Sequence, residues 1–427
     1  MSIEAFKGGA GCGKTYSVME QLNTQLVETP LLQHQRVLAL TYMHGARHQL
    51  DELLEGIADL KGRYEASTID SFAWTVCRRW RARIDEMGLV QPENGDFENI
   101  SLIATQLLED PLVAEWVANS YPIVLIDEAQ DLDFVRLRIV QGLLETCCII
   151  LAFDEFQCLN SENRPVAVLA WIEERCTPTS LEVCRRTDAQ HLLLAASQVR
   201  SGQPLTADGV SFRVKILPER PTAPHRAVTA IGYEIMKGGS FALISPVRKE
   251  RSQYLRGITD LLQTKLIGAE QRLGPFPVVW EGSGESRVQE VRDAIAREDA
   301  YSFEQIEGLL AAFIDLSPTT STLAMLKRAR DAGGVTEFPK KTIQELFERN
   351  VMSARQFTRR TSGGRRAMTV HQAKNREFDR VVLIWPYELG GDDDSRRRTF
   401  YNAITRAKSS CLVIVQSQRL LERAPFV

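Results

Sequence analysis

The sequence predicts an α/β fold in which two parallel sheets are each covered by helices on both faces. Short, continuously apolar runs indicate strands without a solvent-facing side. Stretches with helical spacing, such as residues 251–266, fall between these runs. The predicted strands are residues 3–6, 37–41, 123–126, 149–153, 241–244, 278–280, 368–370, 381–385 and 412–415. A length of 427 residues accommodates two such sheet units with inserted helical material.

The composition is that of an ordinary globular protein, and it excludes several functional classes. Hydrophobic residues make up 44% of the chain, and the net charge of −3 excludes a basic coat over the whole surface. The eight cysteines include no Cys-x-x-Cys pair, so we expect reduced thiols and no zinc site. We find no signal peptide and no apolar run of about 18 residues. We therefore expect a cytoplasmic protein without a membrane segment.

A glycine-rich phosphate-binding motif follows the first predicted strand. Its eight residues, from Gly8 to Thr15, read Gly-Gly-Ala-Gly-Cys-Gly-Lys-Thr and match the pattern G-x-x-x-x-G-K-S/T in full. A helical stretch follows, which is the context that this motif requires. Gly8, Gly11 and Gly13 would let backbone amides turn towards phosphate oxygens. Lys14 would neutralise the β- and γ-phosphates, and the Thr15 hydroxyl would ligate Mg²⁺. A chance match in a glycine-rich turn does not explain this placement.

Two acidic residues follow the strand predicted at residues 123–126. Asp127 would hold Mg²⁺, mostly through water. Glu128 would orient and deprotonate the attacking water as a general base. Taken alone, the pair equally fits a strand end with two solvated acids. Together with the phosphate-binding motif, it indicates a site that hydrolyses a nucleotide.

Further sequence boxes are distributed along the chain in a fixed order. Residues 127–131 read Asp-Glu-Ala-Gln-Asp, and residues 397–408 read Arg-Arg-Thr-Phe-Tyr-Asn-Ala-Ile-Thr-Arg-Ala-Lys. The other boxes are residues 40–50, 67–72, 154–157, 181–187 and 369–378. With the phosphate-binding motif, this ordered set resembles the superfamily 1A helicases, the UvrD/Rep/PcrA-like group. The resemblance spans nearly the whole chain.

The resemblance implies two RecA-like domains, with ATP and Mg²⁺ in the cleft between them and single-stranded nucleic acid running across both. Closure around ATP would shift one domain along the strand. The implied boundaries are 1–73 and 121–185 for the first domain, 74–120 for a small insertion, 186–296 and 365–427 for the second domain, and 297–364 for a small helical insertion.

The resemblance also assigns roles to residues outside the two nucleotide motifs. Gln157 would contact the γ-phosphate and the attacking water, and Glu377 would bind the ribose. Arg186 and Arg406 match the family's two arginine fingers. Their guanidinium groups would stabilise charge on the transferred phosphoryl group in the closed state.

The sequence departs from the family around the nucleotide base. Because the motif begins at Gly8, the family's upstream adenine-reading segment has no counterpart, and the base selectivity is left open. The family holds adenine between an arginine after the Gly-Lys-Thr triplet and a tyrosine of a later box. Here those positions are Tyr16 and Arg185. We therefore expect the base between an aromatic ring and a guanidinium plane with the sides exchanged. The alternative is that both side chains are merely exposed.

Three residues are candidates for contacts with the nucleic-acid strand: Tyr42, Phe72 and His371. The family's stacking tryptophan has no equivalent here, and stacking contributes about 1–3 kcal/mol per base. We therefore expect a weakened grip on the strand. Tyr42 and Phe72 equally fit partly buried packing residues. Asp70 replaces a histidine of the family and Asn375 replaces a glycine, and both changes count more against duplex unwinding than against hydrolysis.

The small net charge of the chain conceals an uneven distribution of charged residues along the sequence. Residues 355–408 hold 13 Lys and Arg residues against 6 Asp and Glu residues. Part of this surplus is assigned to the phosphates of ATP. Five arginines have no catalytic assignment: Arg355, Arg359, Arg360, Arg365 and Arg366. They are candidates for contact with a strand or an acidic partner, although a solvated face fits equally well.

The leading hypothesis is an ATP-dependent translocase or 3′→5′ helicase that acts on single-stranded DNA. The alternative is an NTP-hydrolysing sensor or regulatory subunit. Short helicases of this type resemble the helicase-like subunit of the Gabija anti-phage system, which pairs with an OLD-family, TOPRIM-containing nuclease. An inactive scaffold is disfavoured, since such a protein would not need Lys14, Glu128 and Arg406.

Overall fold

The computed structural model describes residues 2–42, 44–93, 96–159, 166–217, 222–267, 272–281, 285–314, 316–361, 365–386 and 389–427. Within these residues, two six-stranded sheets and one two-stranded sheet contain all the strands. Both large sheets are parallel and are covered by helices. The predicted α/β fold class is confirmed.

Six strands from the N-terminal part of the chain form the first sheet. They are β1 (Ile3–Gly8), β2 (Val37–Thr41), β3 (Tyr64–Thr68), β4 (Ile123–Ile126), β5 (Cys148–Phe153) and β6 (Thr179–Leu181). Their order across the sheet is β3-β2-β4-β5-β1-β6. Because β1 and β4 are interior parallel strands, their carboxyl ends meet at the same edge of the sheet. The phosphate-binding motif and Asp127 therefore lie near one another.

Among the described residues, eight helices pack on this sheet. They are α1 (Lys14–Glu28), α2 (His44–Glu55), α3 (Ile69–Arg79), α4 (Arg81–Glu86), α5 (Phe97–Leu108), α6 (Pro111–Ser120), α7 (Phe134–Leu144) and α8 (Val166–Arg175). On one face, Leu22 of α1 and Leu54 of α2 pack against Ala39 and Ile150. The other face is covered by α3, α5, α7 and α8.

The segment predicted as a small insertion, residues 74–120, packs within this first unit. Its residues Val76, Ile103 and Leu107 belong to the same core as Leu38 of the sheet. Within the described residues, this segment thickens the first unit and does not build a core of its own.

The second sheet is formed from the C-terminal half of the chain. Its strands are β7 (Phe212–Ile216), β8 (Phe241–Ser245), β9 (Val279–Trp280), β12 (Arg365–Thr369), β13 (Phe378–Ile384) and β14 (Ala407–Val415), in the order β7-β14-β13-β8-β12-β9. Its helices are α9 (Gln190–Ser201), α10 (Ala223–Met236), α11 (Gln253–Thr264), α16 (Val370–Ala373) and α17 (Asp393–Ile404). The helices α9, α16 and α17 share one core, and α10 and α11 share the core of the opposite face.

A small third unit lies between β9 and β12 in the sequence. It contains the antiparallel strands β10 (Ala300–Ser302) and β11 (Glu337–Pro339), with the helices α12 (Glu285–Ile295), α13 (Phe303–Leu310), α14 (Ser317–Gly333) and α15 (Lys340–Thr361). The predicted boundary at residue 297 differs from the structure. Val291 and Ile295 of α12 join the core of this unit with Ile306 and Phe347, so the unit begins earlier in the chain.

Candidate active site

The glycine-rich motif forms a tight loop between β1 and α1. Gly11 and Gly13 have φ angles of 76° and 82°, a region that glycine enters without steric cost. The buried Lys14 side chain folds back over this loop. Its Nζ donates hydrogen bonds to the carbonyl oxygens of Gly8 and Gly9, each at 3.0 Å. The ammonium group is thereby held where it can neutralise phosphate oxygens.

Asp127 follows β4 directly and lies beside the loop. The Thr15 hydroxyl donates a hydrogen bond to Asp127 Oδ2 at 3.5 Å. Burial, followed by the charge of Glu128, raises the pKa of Asp127 to about 7. A hydroxyl and a carboxylate in contact beside a phosphate-binding loop fit Mg²⁺, which prefers oxygen ligands. Thr15 and Asp127 would hold this ion, which would supply positive charge to the phosphate oxygens.

Glu128, the candidate general base, has an unusual backbone conformation. Its φ angle of 59° lies in the left-handed region, which residues with a side chain rarely adopt. Gln130 Nε2 donates a hydrogen bond to its carboxylate. Burial alone would raise the pKa of Glu128, but the charges of Lys374 and Lys14 outweigh burial and hold it below its ordinary value. The ionised form that a general base needs is therefore favoured.

We expect Asp127→Asn to stabilise the protein in the absence of nucleotide and Mg²⁺, and to abolish Mg²⁺-dependent hydrolysis. A folded-state pKa raised to about 7 means that the folded protein binds a proton more readily than the unfolded chain does. Stability therefore falls as the pH rises from about 4 to about 7. The neutral amide avoids this loss, so the free energy of unfolding should rise by about 1–3 kcal/mol at about pH 8. Thermal unfolding in EDTA measures this change.

The pH dependence provides the control for this prediction. At about pH 5 the wild-type carboxyl is already protonated, so the stability difference should shrink. Asp260→Asn, at an exposed position on α11, should change stability little at either pH. An Asp127→Asn variant that is less stable than wild type at the higher pH would contradict the burial argument.

Arg406 brings a guanidinium group from the second sheet unit to this site. It lies between α17 and β14 and is only 2% exposed. Its Nη2 donates a hydrogen bond to Gln157 Oε1 at 3.3 Å. Burial, followed by the charge of Arg186, lowers the pKa of Arg406 to about 10, so it stays protonated at neutral pH. Among the described residues, no carboxylate forms an ion pair with Arg406. A buried cation of this kind is suited to an anionic ligand.

Arg186 and Glu377 form a second charged group at the site. Arg186 Nε lies 2.7 Å from Glu377 Oε1, as an ion pair without the alignment of a hydrogen bond. Lys408 Nζ lies 2.9 Å from the other carboxylate oxygen. Burial raises the pKa of Glu377, but Arg186 and Lys408 more than offset burial and lower it. The carboxylate is therefore held ionised and can accept hydrogen bonds from ribose hydroxyls.

These side chains surround one cavity of about 390 Å³, a size suited to a small-molecule ligand. The predicted residues that line it are Gly11, Gly13, Lys14, Thr15, Tyr16, Asp127, Glu128, Gln157, Arg185, Arg186, Glu377 and Arg406. Gly8 lies beneath the loop as an acceptor for Lys14. Three further residues line the cavity without having been predicted as site residues: Gln49, Asn375 and Lys408.

Of the three missed residues, Asn375 carries a signal in the sequence. Its φ angle is 60°, and asparagine tolerates this left-handed conformation better than most side chains. Replacement of the family's glycine by Asn375 therefore preserves the turn. Lys408 ends a family box, but nothing in that box connects it with Glu377. Gln49 lies on α2 within the box at residues 40–50, but nothing in that box connects it with the nucleotide, so only the fold shows its place at the cavity.

Tyr16 and Arg185 lie in contact at the cavity wall. The guanidinium carbon of Arg185 is 5.2 Å from the centroid of the Tyr16 ring. The backbone N–H of Arg185 donates a hydrogen bond to the carbonyl oxygen of Gly11 at 2.7 Å, which anchors this residue to the phosphate loop. An aromatic ring and a guanidinium plane are thus present where the exchanged base-binding pair is predicted, but they contact each other, so a base enters between them only if they separate. Their role in binding the base stays a prediction.

We expect Arg185→Ala to raise the KM for ATP by about 2–30-fold with little change in kcat, since a cation–π contact contributes about 0.5–2 kcal/mol. Tyr16→Phe keeps the ring and should resemble wild type, whereas Tyr16→Ala should resemble Arg185→Ala. Steady-state hydrolysis over a range of ATP concentrations measures both constants. An unchanged KM in Arg185→Ala would show that the base does not bind between these side chains.

The three candidate strand contacts have different environments. Tyr42 is 41% exposed, and the guanidinium carbon of Arg136 lies 5.5 Å from the centroid of its ring. His371 is exposed in α16. The prediction for Phe72 is wrong, because this side chain is only 1% exposed and packs edge-to-face against Tyr121 in the core of the first unit.

Two of the charged residues singled out in the sequence have ion-pair partners. Asp70 Oδ1 lies 2.8 Å from Arg136 Nε. Arg366 Nη1 lies 3.0 Å from Glu281 Oε1. Arg136 thus compensates the negative charge of Asp70, so Asp70 repels a phosphate backbone less than its sequence position alone suggests. Arg366 is correspondingly a weaker candidate for contact with a strand.

Two family models match the chain. A model of an AAA domain matches residues 2–162, and a model of a UvrD-like helicase C-terminal domain matches residues 365–414. The two matches contain the phosphate-binding motif and Arg406, respectively. No curated protein matches the chain.

Solved structures similar to this chain include two of the arterivirus helicase, nonstructural protein 10. A complex of that protein with DNA has 10% sequence identity and a TM-score of 0.40, over 100% of this chain and 63% of the viral chain. A crystal structure of the same helicase has 11% identity and a TM-score of 0.40, over 99% and 61% of the two chains. The chain thus spans less than two thirds of the viral helicase.

Nucleotide binding follows from the match of the first part of the chain to an AAA domain. Each match covers less than half of the chain, and both fall on sequence boxes that resemble those of the superfamily 1 UvrD-like helicases. Among the residues that the structure describes, no helix is both long and apolar enough to cross a bilayer.

Proposed function

We propose that the chain is a motor that uses ATP hydrolysis to move 3′→5′ along single-stranded DNA. The observation that carries this proposal is the origin of the side chains around the cavity. Lys14 and Glu128 come from the first sheet unit, whereas Arg406 comes from the second. Hydrolysis at such a site depends on the approach of the two units, so each cycle is coupled to their relative movement.

A buried ion pair next to the cavity also joins the two units. Lys374 Nζ lies 2.6 Å from Asp131 Oδ1. Burial lowers the pKa of Lys374, but the charges of Asp131 and Glu128 outweigh burial and raise it. Lys374 immediately follows α16, which contains the strand candidate His371. The pair therefore connects a candidate strand contact with the segment of the general base, which supports coupling between DNA and hydrolysis.

The remaining strand candidates lie at equivalent positions of the two sheets. Tyr42 follows the carboxyl end of β2, and His371 lies two residues after the carboxyl end of β12. Ligands of open parallel sheets bind at this edge. A single strand that contacts both residues would bridge the two units, as a motor requires. The 3′→5′ polarity is carried over from the family resemblance.

A second candidate function is an NTP-hydrolysing sensor or regulatory subunit of a defence complex that includes an OLD/TOPRIM-type nuclease. The burial of Phe72 favours this candidate, because it removes one of the aromatic groups available for base stacking. Each lost stacking contact weakens strand binding by about 1–3 kcal/mol. Such a subunit would hydrolyse nucleotide with little dependence on DNA.

Steady-state ATP hydrolysis with and without a single-stranded oligonucleotide separates the two candidates. The motor predicts a rate that rises many-fold with DNA and DNA binding that weakens as salt increases. A DNA-independent rate, with a nuclease subunit that co-purifies, would overturn the motor proposal. Movement is then followed with a dye at one end of the oligonucleotide, and arrival at the 5′ end supports the proposed polarity.

Tyr42→Ala tests the strand contact within the same assay. This variant should require more DNA for half-maximal stimulation, while its DNA-free rate stays that of wild type. Tyr233→Ala is the matched control, because Tyr233 is also exposed but lies on α10. Equal behaviour of the two variants would remove Tyr42 from the strand path.

A further inference from the structure

Arg200 forms a contact between the two sheet units that lies outside the cavity. It belongs to the last turn of α9 in the second unit. Its Nη1 lies 2.7 Å from Oδ1 of Asp154, a fully buried residue that follows β5 in the first unit. A buried carboxylate requires a close cationic or hydrogen-bonding partner. Arg200 supplies this partner from the opposite unit.

The second oxygen of Asp154 reaches the candidate catalytic groups. Gln157 Nε2 donates a hydrogen bond to Asp154 Oδ2 at 2.8 Å, and Gln157 Oε1 accepts a hydrogen bond from Arg406. The backbone N–H of Asp154 donates to Gln130 Oε1 at 2.9 Å. The amide of Gln130 in turn donates to the carboxylate of Glu128. The orientation of Asp154 therefore sets the orientation of Gln157 and is linked to the general base.

A second branch connects Arg200 with the phosphate loop. Arg200 Nη1 lies 3.4 Å from the hydroxyl oxygen of Tyr401 on α17. The same oxygen accepts a hydrogen bond from the backbone N–H of Ala10 at 2.9 Å. The Arg200 guanidinium also lies 5.6 Å from the ring centroid of Phe156, which keeps it beside Asp154. Arg200 thus contacts both the glutamine branch and the phosphate-loop branch.

We infer that Arg200 is a positioning residue that, through Asp154, holds Gln157 in its hydrolytic orientation only when the two units are apposed. Arg200 does not line the cavity, so it acts through Asp154 and not on the nucleotide. The inference deepens the proposed function but rests only on nucleotide hydrolysis. It is therefore tested without DNA, and its failure is distinct from a failure of DNA to stimulate the enzyme.

The test measures kcat and KM for ATP with the full chain in the absence of DNA. Arg200→Ala should lower kcat by about 10–100-fold, the effect of a misplaced reacting group, with little change in KM. Arg200→Lys retains the charge and should recover part of kcat. Arg398→Ala is the matched control, because Arg398 also contacts the first unit, at the Phe156 ring and the Glu155 carbonyl, but not Asp154. Its kcat should stay close to wild type.

Combination with Gln157→Ala distinguishes positioning from a general loss of stability. If Arg200 acts through Gln157, the double variant Arg200→Ala/Gln157→Ala should have nearly the same kcat as Gln157→Ala alone. Should Arg200→Ala fail to fold, the same pairing with Arg200→Lys gives the answer. Multiplicative losses in the double variant, an unchanged kcat in the single variant, or an equal loss in Arg398→Ala would overturn the inference.

Discussion

We expect replacement of Glu128 by glutamine to lower kcat for ATP hydrolysis by about 10²–10⁴-fold, the usual contribution of a general base. The substitution keeps the shape of the side chain and removes its capacity to accept a proton. Because Lys374 and Lys14 hold the pKa of Glu128 below its ordinary value, the wild-type side chain is ionised at neutral pH. Nucleotide binding should persist, since Lys14 and the phosphate loop are unaltered.

Single-turnover hydrolysis together with nucleotide affinity tests the expected result for Glu128→Gln. Glu155→Gln is the matched control, because Glu155 is an acid of the same unit that pairs with Lys7 at 3.3 Å and does not line the cavity. That control should hydrolyse ATP like wild type. If Glu128→Gln retained most of its kcat, another group would have to activate the attacking water.

Replacement of Arg406 by alanine is expected to lower kcat by about 10³–10⁵-fold, as observed when an arginine finger is lost. Arg406 is a buried cation that, among the described residues, has no carboxylate partner, so its charge is available to a phosphoryl group. Arg406→Lys should recover only part of the rate, because an ammonium group lacks the planar fork of the guanidinium. The rate is measured in single turnovers at saturating ATP.

Thermal unfolding serves as the control for Arg406→Ala. A desolvated cation contributes little to stability, so the melting temperature should fall little or rise. Arg380→Ala is the matched comparison, since Arg380 lies on β13, away from the cavity. Its guanidinium group donates hydrogen bonds to the Ser410 hydroxyl and to the carbonyl oxygen of Gly238. A small loss of kcat in Arg406→Ala, similar to that in Arg380→Ala, would exclude the finger role.

The interior strands are predictable from the sequence, whereas three of the four edge strands described in the two large sheets are not; β9 is the exception. Interior strands such as β2 and β4 are buried along their whole length and therefore read as continuous apolar runs. The strands β3, β6 and β7 lie at sheet edges, and none of them is buried along its whole length. Their polar residues interrupt the apolar pattern, so the sequence analysis does not detect them.

The candidate site is predictable where chemistry restricts both residue type and spacing. Lys14 and Thr15 stand at fixed positions after a glycine-rich turn, and Glu128 follows a buried strand. Arg200 and Lys408 reach their partners only through packing of distant helices and strands. No sequence box includes Arg200, and the box that ends at Lys408 does not connect it with Glu377. A sequence signal for these two residues would require knowledge of the contacts between the units.

The burial of Phe72 is predictable from the spacing of apolar residues along its helix. Ile69, Phe72, Ala73 and Val76 follow the spacing of one helix face, and all four are buried on α3. This periodicity predicts a core residue, and it outweighs the position of Phe72 inside a family box. The structure thus supports the packing alternative for Phe72, whereas Tyr42, at the surface after β2, stays a candidate strand contact.

The central claim is that residues from both sheet units form one hydrolytic site. Trapping of ADP with Mg²⁺ and aluminium fluoride, which mimics the transferred phosphoryl group, tests it most directly. Wild-type protein should retain ADP stably, whereas Arg406→Ala should release it, although the phosphate loop and Glu128 are intact in the first unit. Equal retention by wild type and Arg406→Ala would show that the second unit does not contribute to the transition state.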